Sequence, residues 1–236
     1  MEKINHHLCI ILDKSGSMDS LRTTALQHVN EQIQTAKGKS KDFDIKVTFI
    51  TFNYDIDILK SNEPVDQIHE IPLTDYRPNG GTALNDAVAV AIDEVMCNVS
   101  LGDTDVLFAI VSDGQENHSV KFPGVGNKDL AEKVQTMQEK YSWTFTYMGT
   151  DDFDLTKAAS AMNIPLSNVH SFERSLAGME KATHLYSCQL DNYYGNRVET
   201  VKRSDDGKFR TKCASNLNFF DSEASTTADE TPSEES

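Results

Sequence analysis

Positive charge is scarce in this chain: 22 Lys and Arg residues face 37 Asp and Glu residues across 236 positions, a formal net charge of −15. Body and C-terminal segment are both acidic, and no basic patch offers to neutralise a phosphate backbone, so nucleic acid is not an expected partner. Cysteine is sparse as well. Cys9, Cys97, Cys188 and Cys213 are scattered without a Cys-x-x-Cys pair, which suggests neither a zinc knuckle nor a compact disulfide framework. No charged leader followed by an apolar stretch opens the chain, and no run reaches about 18 apolar residues, so neither secretion nor a membrane span is expected. A reducing cytoplasm is the expected compartment. A Gly-x-x-x-x-Gly-Lys-Ser/Thr phosphate loop is missing, and there is no internal repeat.

What is present alternates as an α/β fold should. Leu8-Cys9-Ile10-Ile11-Leu12 and Val106-Leu107-Phe108-Ala109-Ile110-Val111 are short apolar runs of the kind that form buried parallel strands. Ile45 to Phe52, Trp143 to Met148 and Asn168 to Phe172 read as further strands, and Asp55 to Leu59 as an antiparallel edge. Between them, Leu21, Ala25, Val29 and Ile33 recur at four-residue spacing and mark a helix with one apolar face. Leu84, Val88, Ala91 and Val95 mark a second, and Leu130, Val134, Met137 and Tyr141 a third. Leu155 to Met162 reads as a short helix, and Met179, Tyr186 and Leu190 lie on a final one. Strands alternating with helices predict a doubly wound, mostly parallel sheet with one antiparallel edge strand and helices on both faces.

Both apolar runs end in an aspartate. Asp13 opens Asp13-Lys14-Ser15-Gly16-Ser17, and Asp113 lies in Ser112-Asp113-Gly114; between them comes the turn Gly80-Gly81-Thr82. Each motif alone is ordinary: a helix cap, a turn before a helix, a strand-ending turn. In this order, each after the right kind of element, they bring carboxylates to the carboxyl edge of a sheet, where open α/β folds place ligand sites. Two carboxylates and three hydroxyls offer all-oxygen ligation, which suits Mg²⁺, Mn²⁺ or Ca²⁺.

The pattern Asp-x-Ser-x-Ser, then Gly-Gly-Thr, then Ser-Asp-Gly resembles the metal-ion-dependent adhesion site of von Willebrand factor A domains, over roughly residues 5 to 190. Tyr76 to Ala87 and Tyr147 to Asp152 look similar to the small, free-standing intracellular A-domain proteins of bacteria and their phages. The resemblance implies Asp13, Ser15, Ser17, Thr82 and Asp113 as metal ligands, with Mg²⁺ (or Mn²⁺ or Ca²⁺) as the ion. It implies a non-catalytic protein-binding module in which a partner's Asp or Glu takes the open coordination position. An alternative is a Mg²⁺-dependent phosphoryl-transfer or hydrolytic enzyme using Asp13. Such phosphatases, however, want a second acid two residues on, where this chain has Ser15. An accessory subunit of an AAA-type ATPase complex is a further alternative; the motor would be a separate chain.

The expected organisation is an A domain over 1–194, an extension over 195–220 forming a hairpin or arm, and an acidic disordered tail over 221–236. The tail holds six acids and no basic residue. It is too polar to offset its chain entropy by burial, and its acids are candidate competitors for the metal position. Asp151, Asp152 and Asp154 read as a solvated acidic loop on the same rim as the metal, His118 as a possible flank, and His6 and His7 as solvent-facing.

Overall fold

The two apolar runs become neighbouring strands at the centre of a six-stranded sheet. This computed structural model describes residues 3–203 and 218–220. In chain order the elements are β1 (Ile4–Asp13), α1 (Arg22–Lys37), β2 (Phe43–Phe52), β3 (Ile56–Pro64), α2 (Leu84–Asn98) and β4 (Asp105–Val111). They continue with α3 (Lys128–Tyr141), β5 (Thr144–Thr150), α4 (Leu155–Ala161), β6 (Val169–Phe172) and α5 (Leu176–Arg203). The strand order is β3-β2-β1-β4-β5-β6, parallel throughout except for β3, which pairs antiparallel with β2. Every expected strand and helix forms, and β3 is the expected antiparallel edge, extended to Pro64.

Alternation along the central strands builds two cores. Leu8, Ile10 and Leu12 face α1 and α5, meeting Leu26, Val29, Ile33, Met179, Tyr186 and Leu190. Cys9 and Ile11 face the other way, toward α2 and α3, with Val88, Ile92, Val134 and Phe145. Cys9 is therefore a small buried apolar side chain, as its strand position predicts. Trp143, fully buried just before β5, stacks on Phe108 with ring centroids 5.6 Å apart in this second core.

Covering both faces overturns one expectation. His6 and His7, read as solvent-facing, are each 1% exposed. A central parallel strand has no solvated side, so its polar residues must find partners inside. His7 Nε2 lies 2.9 Å from Thr48 Oγ1, and burial, with His6 adding to it, drives its pKa down to about 3. His6 Nδ1 lies 2.8 Å from Asp105 Oδ2 at the amino end of β4. Arg197 Nε donates to Asp105 Oδ1 at 3.1 Å and Tyr193 Oη to Oδ2 at 2.8 Å, both from α5. Asp105 and Arg197 are each 1% exposed. Burial works against the Asp105 charge, but Arg197, His6 and Tyr193 outweigh it and hold the carboxyl at about 2.

This buried group clasps α5 to the amino edge of the sheet. The helix runs past the expected boundary at residue 194 without a break. Of the 195–220 extension, most of the expected hairpin or arm lies outside the described residues, as does the acidic tail. Its end is described: Phe219 N–H donates to Asn168 Oδ1 at 2.8 Å, and the Phe219 ring lies 4.9 Å from that of Tyr186. Among the described residues no helix is long and apolar enough to cross a membrane.

Candidate metal centre

Reading the residue that follows each parallel strand traces the rim of the carboxyl edge. β1 ends on Asp13, β4 leads into Ser112 and Asp113, β5 into Asp151 and Asp152, and β6 into Glu173 and Arg174. Because β1 and β4 are adjacent and in register, with Leu12 opposite Val111, Asp13 and Asp113 emerge side by side. Both are buried, at 0% and 2% exposure.

Three loops close on this pair, cross-linked through their backbones. Gly16 N–H donates to Gly80 O at 3.1 Å, and Asn79 N–H to Lys14 O at 2.8 Å. Thr82 is clamped from the third loop: its N–H donates to Asn117 Oδ1 at 3.0 Å, and its carbonyl accepts from Asn117 N–H and His118 N–H, each at 3.1 Å. Tyr76 Oη donates to the Asp13 carbonyl at 2.5 Å, and Arg22 Nε to the Tyr76 carbonyl at 2.7 Å, so α1 braces the middle loop. Gly80 has φ +79°, and a Cβ at either Gly80 or Gly81 would lie within 2.7 Å of the Tyr54 ring. Glycine there lets Tyr54, 54% exposed, lie over the turn and contact the His118 ring at 4.3 Å between centroids. His118 thus flanks the site through this exposed aromatic pair.

The side chains expected from the sequence come together. Ser17 Oγ donates to Asp113 Oδ1 at 2.7 Å and lies 3.0 Å from Ser15 Oγ. A methyl placed on Gly114 would sit 3.0 Å from Thr82 Oγ1, 3.6 Å from Asp13 Oδ2 and 3.7 Å from Ser17 Oγ. One small cradle beside Gly114 is therefore lined by oxygens from the first and second loops, and a side chain at 114 would crowd it. Asp13 accepts from Ser15 N–H and Ser112 Oγ, both at 2.6 Å. Burial pushes its pKa up to about 6 and the Asp113 charge adds to this, with the Ser112 and Ser15 hydrogen bonds pulling back.

Arg174 is absent from the sequence reading, while Ser112 and Asp152, named there within a motif and a rim loop, take roles it did not assign. Arg174 Nε donates to Asp152 Oδ2 at 2.5 Å, one terminal nitrogen pairs with Asp113 Oδ2, and the other donates to the Asp113 carbonyl at 2.8 Å. Asp152 is exposed, as a solvated loop would be, but it is engaged with the site through this arginine. The strand-end rule that singled out Asp13 and Asp113 would have found Arg174 had it been applied to β6. Asp154 does something else: it caps α4 through Lys157 N–H at 3.0 Å. Beside the site, Leu84, Glu116, Val125, Phe153, Lys157 and Met162 line a cleft of about 150 Å³. Among the described residues no group of three or more His, Cys, Asp or Glu side chains has metal-binding geometry, so any cation at this edge relies on hydroxyls as well.

No protein-family profile and no curated protein sequence matches the chain. Solved structures do match in fold. A von Willebrand factor type A protein from Catenulispora acidiphila superposes with a TM-score of 0.56 at 16% identity, covering 80% of this chain and 43% of that one. The ArnB paralog VWA2 from Sulfolobus acidocaldarius gives 0.54 at 13% identity, covering 80% and 45%. The von Willebrand factor domain of the type V pili tip protein Mfa5 from Porphyromonas gingivalis gives 0.53 at 9% identity, covering 80% and 97%. The chain has the von Willebrand factor A fold, and it spans less than half the length of the first two of these proteins.

Proposed function

We propose that this chain is a divalent-cation-dependent protein-binding module without chemistry of its own. Asp13, Ser15, Ser17, Thr82 and Asp113 would hold Mg²⁺ (or Mn²⁺ or Ca²⁺), and a partner's Asp or Glu would complete the coordination. The observation that carries this reading is the cradle beside Gly114 on the third loop, where Asp13 and Ser17 oxygens from the first loop and the Thr82 hydroxyl from the second surround one point.

The charge balance supports it. Two buried carboxylates lie side by side, and the cationic partner nearby, Arg174, pairs with Asp113. Among the described residues no Lys, Arg or His pairs with Asp13, whose charge is opposed by burial. The ion would supply the missing positive charge and a Lewis-acidic position for an incoming carboxylate. Ser15, Ser17 and Thr82 would fill coordination positions without adding negative charge, leaving the centre electrophilic toward an acidic partner. Tyr54 and His118 give the partner an exposed aromatic surface beside the turn. The fold suits an interaction role: one structural neighbour is the tip protein of a pilus. For a nucleophilic role, both Asp13 oxygens are already engaged as hydrogen-bond acceptors.

Affinity capture with wild-type and Asp13→Ala bait, in Mg²⁺ and in EDTA, tests the proposal. The expected result is a prey protein held only by wild type in Mg²⁺ and released by EDTA. Prey that binds equally in all four conditions would refute it, and phosphate release that vanishes in Asp13→Asn would favour catalysis instead.

A further inference from the structure

Arg174 lies two residues beyond β6, on the short link into α5, and its backbone position is tightly set. A Cβ on Gly178 would sit only 2.2 Å from the Glu173 carbonyl oxygen, so the first turn of α5 closes directly against this link. From that anchor the guanidinium reaches two carboxylates at once. One is Asp113, whose side chain is fully buried; the other is Asp152, whose side chain is 48% exposed. The terminal nitrogens also reach the Asp113 carbonyl at 2.8 Å, Thr150 Oγ1 at 3.3 Å and the Ser17 carbonyl at 3.5 Å. The Arg174 side chain itself is 30% exposed, which leaves it room to move toward the open side.

We propose that Arg174 sets the cation affinity of this site by competing with the divalent ion for Asp113, and that Asp152 receives the guanidinium when the ion enters. This rests on the reading of the five oxygens as a cation site. Asp113 Oδ2 faces the guanidinium and Oδ1 accepts from Ser17 Oγ, so both oxygens are engaged. A divalent ion drawing on Asp113 meets a positive group already there, and like charges at such range in a buried setting repel strongly. Asp152 resolves the conflict because it already holds Nε at 2.5 Å and sits toward solvent. Rotating about that contact frees Asp113 without leaving the arginine unpaired. The arginine thus spares Asp113 an uncompensated buried charge when no ion is bound, at the expense of ion affinity.

The opposite role would be a positioning one, in which Arg174 orients Asp113 for the ion. The two differ in sign. Titration calorimetry of Mg²⁺ into wild type, Arg174→Gln, Asp152→Asn and Asp13→Ala separates them, with thermal unfolding in EDTA checking that each variant folds. Competition predicts that Arg174→Gln binds Mg²⁺ about 10-fold tighter or more, within the range by which residues supporting a metal ligand alter affinity. It predicts that Asp152→Asn binds more weakly than wild type, because the guanidinium then has Asp113 alone. It further predicts a larger rise in unfolding temperature on adding Mg²⁺ for Arg174→Gln than for wild type. Equal or weaker binding by Arg174→Gln, with wild type still binding, overturns the competition while leaving the cation site intact. No uptake by either protein, or uptake undiminished in Asp13→Ala, overturns the cation site and the competition with it.

Discussion

At the amino edge of the sheet Asp105 meets Arg197, His6 and Tyr193 inside the core; at the carboxyl edge Asp13 meets only hydroxyl and amide donors, and Asp113 meets an arginine that is 30% exposed. Both edges bury aspartates at strand ends, and both use an arginine delivered from α5 or its approach. The difference lies in completeness. Asp105 has a cation and further donors and is held at about 2, whereas Asp13, with no cation, is raised to about 6. A buried carboxylate with every partner supplied works as a clasp, while one left short of positive charge fits the proposed cation site.

The largest effect should come from breaking the clasp. Arg197→Met leaves Asp105 buried without its cation and is expected to lower unfolding free energy by about 3–5 kcal/mol, read by urea denaturation in EDTA and in Mg²⁺ alike. Asp13→Ala should do the reverse at the other edge: Mg²⁺ uptake is lost in calorimetry, while stability in EDTA holds or rises because two buried carboxylates no longer repel. A loss of several kcal/mol in EDTA for Asp13→Ala would erase the contrast between the edges.

Next in size is the pH dependence in EDTA, where the two aspartates act with opposite sign. Asp105 has a lowered folded pKa, so its stabilisation is present above the ordinary 3.8 and is lost as pH falls toward 2. Asp13 has a raised one. Between 3.8 and about 6 its folded form binds more protons than the unfolded chain, so its contribution falls as pH rises through that window. His7 and His28, buried and held at about 3, oppose this trend by losing stability as pH drops below 6.5. The measurement is therefore the difference between wild type and Asp13→Asn, which should widen in favour of the variant from pH 4 to pH 6. Smallest of all is Lys133→Ala. Its pair with Asp93 is 23% and 66% exposed, and the change should stay under about 1 kcal/mol, the baseline for an ion pair that water already screens.

How much of this was legible beforehand follows from range. The carboxyl edge announces itself because each proposed ligand lies within a few residues of an apolar strand or helix pattern that fixes where the chain emerges, and Asp13, Thr82 and Asp113 follow from such short-range context. The amino edge announces nothing. His6, Asp105 and Arg197 are separated by about ninety residues or more at each step, and only the register of β1 on β4 and the length of α5 bring them together. His6 and His7 follow the same logic: polarity suggests exposure, but strand order decides it, and β1 lies between β2 and β4. Arg174 lies between these cases, since its position after β6 is local information while its reach to Asp113, 61 residues away in sequence, is not.

Trp143 gives the molecule an optical reporter of its own. It is the chain's single tryptophan, and it sits against Phe108 at the amino end of β5. At about 3.3 Å per residue, the length of that strand puts the indole roughly 20 Å from the carboxyl rim. Its fluorescence should follow loss of the second core and stay silent when a side chain at Asp13, Asp113 or Arg174 is exchanged. Emission and calorimetry on one sample would then record folding and ion uptake as separate signals.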